Sequence, residues 1–160
     1  MAQTIDREIR QTKPFRSLQE QVVLNLMRTT RAVEESWSQH LKRTEGISPS
    51  HYNILRILRG ARPKAAKISE ISERMVTRDP DVTRLVDRLI KQGLARRERG
   101  SEDRRVVLVE ITGAGLALLA RLDGPVGEAT DAAMAGLKPQ QLRTLDRLLN
   151  EVRAGIRPYP

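Results

Sequence analysis

The sequence contains no cysteine and very few aromatic residues. Without cysteine the chain can form no disulfide framework, thiolate nucleophile or thiol redox sensor. Aromatic residues make up only 2% of the chain, which argues against a groove for sugars or single-stranded nucleic acid, because flat rings supply the affinity in such grooves. The apolar share of 39% is enough for a core, which must be built mainly from Leu, Ile, Val and Ala.

The sequence also lacks a membrane segment and the usual catalytic motifs. No apolar run approaches the roughly 20 residues of a membrane span, and the charges at Asp6, Arg7 and Glu8 argue against an ordinary signal peptide. We therefore expect a cytoplasmic protein without a membrane partner. There is no Gly-rich phosphate loop or G-x-S-x-G elbow, and His40 and His51 belong to no ligand cluster. We expect no catalytic residue, no cofactor and no metal site.

Apolar spacing divides the chain into four segments. Residues 1–14 are polar and end at a proline, which predicts a flexible N-terminal arm. In residues 15–46 apolar side chains recur at three- and four-residue steps, which predicts one long amphipathic helix. Residues 47–111 contain short helices followed by two strands, and residues 112–157 return to long helices. The expected fold is mainly α with a small β-hairpin.

Capping residues define the short elements. Ser48-Pro49 and Asp79-Pro80 each pair an N-cap residue with proline at the first helical position, so helices are predicted to begin there. Gly93 suits a left-handed C-cap, which ends the second of these helices near residue 92. A further short helix is predicted over residues 68–75, and strands over residues 94–99 and 106–111.

Positive charge is concentrated in the second half of this central segment. The chain has a formal charge of +9, which favours a polyanionic partner, although a solvated basic surface would look the same. The helix over residues 80–92 turns charged side chains outward, which is also typical of any amphipathic helix. The hairpin is more informative, because like charges on paired strands repel unless a polyanion is near. Its five guanidiniums are Arg96, Arg97, Arg99, Arg104 and Arg105. Asp103 is expected to orient one of them.

Two blocks of sequence resemble the MarR (multiple antibiotic resistance regulator) family. Residues 81–89, with Gly93 and Arg97 after them, resemble the family's recognition helix. Residues 103–105 resemble its D-x-R wing, and Ile111-Thr112 with Gly115 resembles the L-T-x-x-G start of its next helix. Both blocks occur in the family's order and spacing, and the resemblance extends over roughly residues 18–155.

The resemblance implies a winged helix-turn-helix DNA-binding domain at residues 47–111 and a dimerisation module formed by residues 15–46 and 112–157. It further implies a homodimer that binds double-stranded DNA and represses transcription at a pseudo-palindromic operator. Asp103 would orient the wing. The expected DNA-binding residues are Arg78, Asp81, Thr83, Arg84, Arg88, Lys91, Arg97, Arg99, Arg104 and Arg105.

Two questions stay open at the level of sequence. The same charges would serve a non-specific or architectural DNA-binding protein, and only the specificity ratio separates the two functions. The resemblance also implies a small aromatic or anionic effector, bound between the two lobes. Candidate pocket residues are Trp37, His40, His51 and Tyr52, although packing alone also accounts for Trp37.

Overall fold

The computed structural model describes residues 4–77, 79–99 and 107–156, without the side chains of residues 40, 42–45 and 99. The described elements, in chain order, are α1 (Ile5–Glu8), α2 (Leu18–Glu45), α3 (Pro49–Ala61), β1 (Ala66–Lys67), α4 (Ile68–Arg74), α5 (Val82–Lys91), β2 (Ala95–Arg99), β3 (Val107–Ile111), α6 (Gly113–Met134) and α7 (Pro139–Gly155). The predicted fold class, mainly helical with a small β wing, is confirmed.

The N-terminal segment differs from the predicted polar arm at residues 5–8. These residues form the single helical turn α1, whose Ile5 is only 3% exposed. Glu8 accepts a hydrogen bond of 3.5 Å from the Arg28 side chain of α2. One apolar residue creates no periodicity, so the sequence pattern could not reveal this contact.

Helix α3 begins where the sequence predicted. The Ser48 hydroxyl accepts a hydrogen bond from the His51 backbone N–H at 3.3 Å, and Pro49 takes the first helical position. In return, the Ser48 N–H donates to Nδ1 of His51, also at 3.3 Å. This reciprocal arrangement is a capping box, with histidine in the place usually held by Glu or Gln.

The hydrophobic core surrounds α3, as its buried face shows. Aliphatic side chains of α2, α4, α5, α6 and the sheet pack together with that face. The largest fully buried side chains are Leu41, Ile47, Ile54, Leu55, Leu58, Ile71, Val86, Leu89, Val109, Leu119 and Leu122. Burying each of them contributes about 1.5–3 kcal/mol before the entropic cost of ordering is subtracted.

The sheet has three strands where the sequence predicted two. In the order β1-β3-β2, the central strand pairs antiparallel with both neighbours, Ala66 opposite Val109 and Arg97 opposite Val109 on the other side. The two-residue strand β1 lies within residues 61–67, which their basic side chains and Pro63 predict to be a loop. A strand this short carries no alternation of its own and forms only because β3 offers a free edge.

Helix α5 begins two residues later than predicted. Asp81, not Asp79, is its N-cap, because Oδ1 of Asp81 accepts a hydrogen bond of 3.1 Å from the Arg84 N–H. Pro80 therefore precedes the helix and does not occupy its first position. The other end agrees with the sequence, since Gly93 has the left-handed φ of +72° that favours glycine.

The last two helices begin at the predicted caps. Thr112 accepts a hydrogen bond of 3.1 Å from the Gly115 N–H, and its hydroxyl donates to the Gly93 carbonyl at 2.7 Å. The pair Gly124-Pro125 predicts a kink or interruption in this segment, but α6 continues through Pro125. Pro139 after Lys138 predicts a further helix start, and α7 begins there. None of its 17 residues is buried.

Gly115 is expected to tolerate no side chain. A Cβ at this position would lie 2.7 Å from Cγ1 of Ile111 and in hard contact with the carbonyl oxygen of Leu94. Gly115→Ala should therefore lower the free energy of unfolding by about 1–3 kcal/mol, as overpacking does. At Gly113, in the same helix, a Cβ meets nothing within 4 Å, so Gly113→Ala is the matched control. Equal stability of the two variants in urea denaturation would contradict this.

Candidate nucleic-acid interface

Helix α5 presents one apolar and one cationic face. Val82, Val86 and Leu89 are at most 5% exposed and lie at the steps of four and three residues that form one stripe. Their packing turns the opposite face to solvent. The exposed side chains there are Thr83, Arg84, Arg88 and Lys91, all predicted from the sequence to contact DNA.

The acidic residues at the start of α5 are used by the backbone. Oδ1 of Asp79 accepts a hydrogen bond of 2.9 Å from the Asp81 N–H, and Asp81 caps the helix. Such a cap stabilises a helix by about 0.5–2 kcal/mol. The exposed carboxylate of Asp81, predicted to be a DNA-binding residue, therefore has a structural role at the N-terminus of α5.

A side chain of α3 holds the turn that precedes α5. Oδ1 of Asn53 accepts a hydrogen bond of 2.9 Å from the Val76 N–H, which lies between α4 and α5. No feature of the local sequence marks Asn53, because the hydrogen bond joins residues 23 positions apart. This hydrogen bond ties the turn between α4 and α5 to α3.

Arg96 and Arg97, the two hairpin arginines whose side chains the structure describes, form ion pairs within the protein. Arg97 of β2 donates to Oδ1 of Asp87 on α5 at 2.5 Å, which joins the sheet to the cationic helix. Arg96, on the opposite face of β2, donates to Oε2 of Glu110 on β3 at 2.7 Å. The predicted repulsion between hairpin arginines is thus partly offset by acidic neighbours.

The ion pair on the outer face of the sheet includes a second carboxylate. The hydrogen bond from Arg96 lowers the pKa of Glu110, whereas a hydrogen bond shared with Glu110 raises the pKa of Glu98. All these side chains are accessible to solvent, so screening by water keeps the net contribution to stability small. The cluster fixes the position of Arg96 rather than making it available to a ligand.

Three cations of α5 have no such partner. Within residues 4–77, 79–99 and 107–156, Arg84, Arg88 and Lys91 form no ion pair with a carboxylate. They lie at positions i, i+4 and i+7, so they follow one face of the helix over about 10 Å at 1.5 Å per residue. This line of unpaired charge is the feature of the described chain that fits a phosphate backbone most directly.

Several predicted residues lie outside the described part. Arg78 and residues 103–105, which include the predicted orienting Asp103 and the wing residues Arg104 and Arg105, are not described. The backbone of Arg99 belongs to β2, but its side chain is not described, and the same holds for the side chain of His40 in α2. Their predicted roles stay predictions.

The predicted effector residues have defined surroundings. The ring of His51 is buried and belongs to the capping box of α3, while the Tyr52 hydroxyl donates to Oδ1 of Asp123 on α6 at 2.9 Å. Trp37 packs against the core. Nε1 of Trp37 and Nε2 of His51 are buried and have no hydrogen-bond partner among the described residues.

Two other features, a membrane-spanning helix and a metal site, concern the described residues. None of the helices there is long and apolar enough to cross a membrane. No group of three or more His, Asp or Glu side chains in the same part of the chain is arranged to hold a metal ion.

Comparison with known proteins gives a consistent family. Residues 47–107 match the model of the MarR family. The HTH-type transcriptional regulator PrsX of Escherichia coli is 30% identical over 123 residues, 74% of each chain. A MarR transcription factor from Planctomyces limnophilus is 36% identical in a structural match with a TM-score of 0.66, covering 86% of this chain and 98% of the other. The chain belongs to the MarR family. It is a DNA-binding transcriptional regulator.

One further MarR family structure supports the fold. Sco3205 from Streptomyces coelicolor, solved in complex with DNA, matches with a TM-score of 0.79 over 90% of this chain and 95% of the other, at 24% identity. This structural similarity confirms that the chain has the winged helix fold.

Acidification should destabilise the fold through His51. Burial, and then the charge of Arg88, lower the pKa of His51 below 6.5, against the opposing effect of Asp79. The unfolded chain therefore takes up the proton first, and the stability that neutral His51 provides is lost as pH falls below about 6.5. His51→Gln keeps an acceptor for the Ser48 N–H but cannot titrate.

Urea denaturation between about pH 5 and pH 7.5 measures this effect. The free energy of unfolding should fall more steeply with acid in the wild type than in His51→Gln. His40 is present in both proteins and cancels in the comparison. Parallel pH profiles would show that folding does not lower the pKa of His51.

Proposed function

We propose that this protein is a homodimeric repressor that binds a pseudo-palindromic operator and inserts α5 of each protomer into successive major grooves. The observation that carries this proposal is the line of cations on α5, which have no carboxylate partner among the described residues and are held outward by a buried apolar stripe. A major groove about 12 Å wide admits one helix, and half-sites one helical turn apart match a two-fold dimer.

Each cation of α5 has a distinct proposed role. Arg84 lies in the first turn of the helix, which enters the groove most deeply in a helix-turn-helix, so its guanidinium reads a guanine edge. Arg88 and Lys91 lie further along the helix and neutralise phosphates. Thr83 contacts the bases beside Arg84, and Arg78 contacts the DNA just before the helix. Asp81 acts through the cap.

The wing residues complete the grip on the duplex. Arg99, Arg104 and Arg105 are proposed to enter the minor groove, where negative potential is strongest, with Asp103 orienting them. Because Arg97 is engaged by Asp87 at 2.5 Å, its proposed contribution is to hold the base of the wing against α5.

A dimer is supported by apolar surface on the two terminal helices. Helix α2 exposes Leu18, Val22, Val23 and Met27, and Leu18 is 71% exposed. Helix α7 exposes Leu145, Leu148 and Val152, and the residue after it, Ile156, is 65% exposed. An amphipathic helix with no buried residue lacks the packing that normally stabilises helices in proteins. A second copy of the chain would supply it.

Disrupting this surface should dissociate the dimer. Leu148→Glu places a charge in the apolar stripe of α7, whereas Asn150→Glu adds the same charge at an exposed polar position of the same helix. The first variant should be monomeric by light scattering at a concentration where the second is dimeric. It should also lose at least about tenfold in operator affinity, which corresponds to about 1.4 kcal/mol. A dimeric Leu148→Glu protein would count against this interface.

Repression is the simplest regulatory outcome of such binding, since occupying a promoter requires only affinity. The family resemblance adds a small aromatic or anionic effector that releases DNA. Nε1 of Trp37 and Nε2 of His51, which are buried without a partner in the described part of the chain, support a ligand near them, because a buried donor without an acceptor costs about 1–3 kcal/mol. A thermal-shift screen with aromatic acids tests this. Unchanged stability together with unchanged operator affinity would argue against an effector of this class.

Replacing Arg84 tests direct reading of the sequence. Arg84→Ala should weaken operator binding by about 1–3 kcal/mol and relax specificity at one base position, because a bidentate contact to guanine is lost. Arg84→Lys keeps the charge without the bidentate geometry, so it should retain affinity for random duplex but not the base preference. If all three proteins selected the same consensus with the same ratio of specific to non-specific affinity, Arg84 would not read a base.

The second candidate function is non-specific or architectural DNA binding, which the same charges would support. Selection of bound duplexes from a random pool separates the two functions. A regulator should enrich a two-fold symmetric consensus and bind it roughly a thousandfold or more tighter than random duplex at physiological salt. Failure to enrich any consensus would favour the architectural function.

A further inference from the structure

A carboxylate of α6 joins two side chains of α3. Oδ1 of Asp123 accepts a hydrogen bond of 2.9 Å from the Tyr52 hydroxyl, and Oδ2 accepts one of 2.5 Å from the Arg59 guanidinium. Tyr52 and Arg59 are seven residues apart and so lie on the same face of α3, two turns from one another. Asp123 thus contacts the winged helix domain at two points.

The three side chains form one ordered polar network. Tyr52 is only 4% exposed, and the guanidinium of Arg56 lies 5.8 Å from the centre of its ring. The side chains of Arg59 and Asp123 are 38% and 39% exposed. An ion pair this accessible adds little to stability. The effect of the network is therefore to orient α3 relative to α6.

The protonation states suit this network at neutral pH. The hydrogen bond from Arg59 lowers the pKa of Asp123 more than burial raises it, and the Tyr52 hydroxyl lowers it further. Burial, and then the hydrogen bond to Asp123, raise the pKa of Tyr52, so its hydroxyl stays a donor.

Helix α3 is also the element that holds the recognition helix. Asn53, next to Tyr52, accepts the hydrogen bond from Val76 that fixes the turn before α5. The buried face of α3 packs in the same core as Val86 and Leu89 of α5. A shift of α3 relative to α6 would therefore carry α5 with it.

We propose that Asp123 is a positioning residue for DNA recognition, which fixes the angle between the winged helix domain and α6 through Tyr52 and Arg59. In the dimer this angle sets the separation of the two copies of α5. The inference rests on the proposed homodimer and its two half-sites. Asp123 touches no DNA and acts through α3.

The test varies the distance between operator half-sites. Each added base pair moves one half-site by about 3.4 Å along the axis and rotates it by about 35°. The wild-type protein should therefore bind one spacing best and lose affinity at spacings one or two base pairs shorter or longer. In Asp123→Asn the ratio of the affinity at the best spacing to the affinity at neighbouring spacings should fall by roughly 2- to 30-fold, the range typical of coupling between sites.

Three further proteins make the result specific. Asp131→Asn changes an exposed carboxylate on the same helix and should keep the wild-type spacing preference. Tyr52→Phe removes a single oxygen and should flatten the preference in part. The exchange of Arg59→Asp with Asp123→Arg rebuilds the ion pair but removes the carboxylate that accepts from Tyr52, so it should restore the preference in part. Tyr52→Phe and the exchange decide the matter if Asp123→Asn does not fold.

The possible failures are distinguishable. A wild-type protein without any spacing optimum would overturn the proposed two-site function. A wild-type optimum that Asp123→Asn and Tyr52→Phe share unchanged would overturn the positioning role alone. Equal loss of affinity at every spacing would show that Asp123 is merely structural.

Discussion

The burial of Val82, Val86 and Leu89 on one side of α5 determines the orientation of the cationic face of that helix. Since a helix has a fixed angular step, burying this stripe leaves the side chains of Arg84 and Arg88 no direction but outward. The cap by Asp81 then fixes where the helix starts, and Gly93 where it ends. The orientation of the cations is thus a consequence of hydrophobic packing, not of electrostatics.

Local signals predicted much of this arrangement, and non-local contacts account for most of what they missed. Ser48, Gly93 and Thr112 act on atoms within a few residues of themselves, so their roles could be predicted from the sequence. Strand β1 depends on β3, about 40 residues later in the chain, and no pattern within two residues reveals that. The prediction that α5 begins at Asp79-Pro80 was wrong for a different reason. The Asp79 carboxylate does bond a backbone N–H, but that of Asp81 in the turn rather than one within the helix.

The same distinction applies to charge. The sequence showed five arginines in the hairpin as one basic group, whereas the structure separates Arg96 and Arg97 by strand face and gives each an acidic partner. Those partners, Glu110 and Asp87, lie on other elements, and the composition alone does not show which charges meet. The net charge of +9 therefore does not show how many cations are available to a ligand, because some of them are paired within the protein. It also does not show where the remaining cations lie.

The exposed apolar stripe of α7 links folding to assembly in the proposed homodimer. A helix of 17 residues with no buried side chain is marginal by itself, so its ordering and the binding of a partner are in effect one event. Anything that binds the folded dimer then also stabilises the helix, by mass action. Helix α6 joins the proposed dimerisation helices to the winged helix domain, through Thr112 at its start and through Asp123. In the proposed homodimer, the two copies of α5 therefore reach a defined separation only after assembly. Operator occupancy should consequently follow the concentration of dimer and rise more steeply than the concentration of the chain.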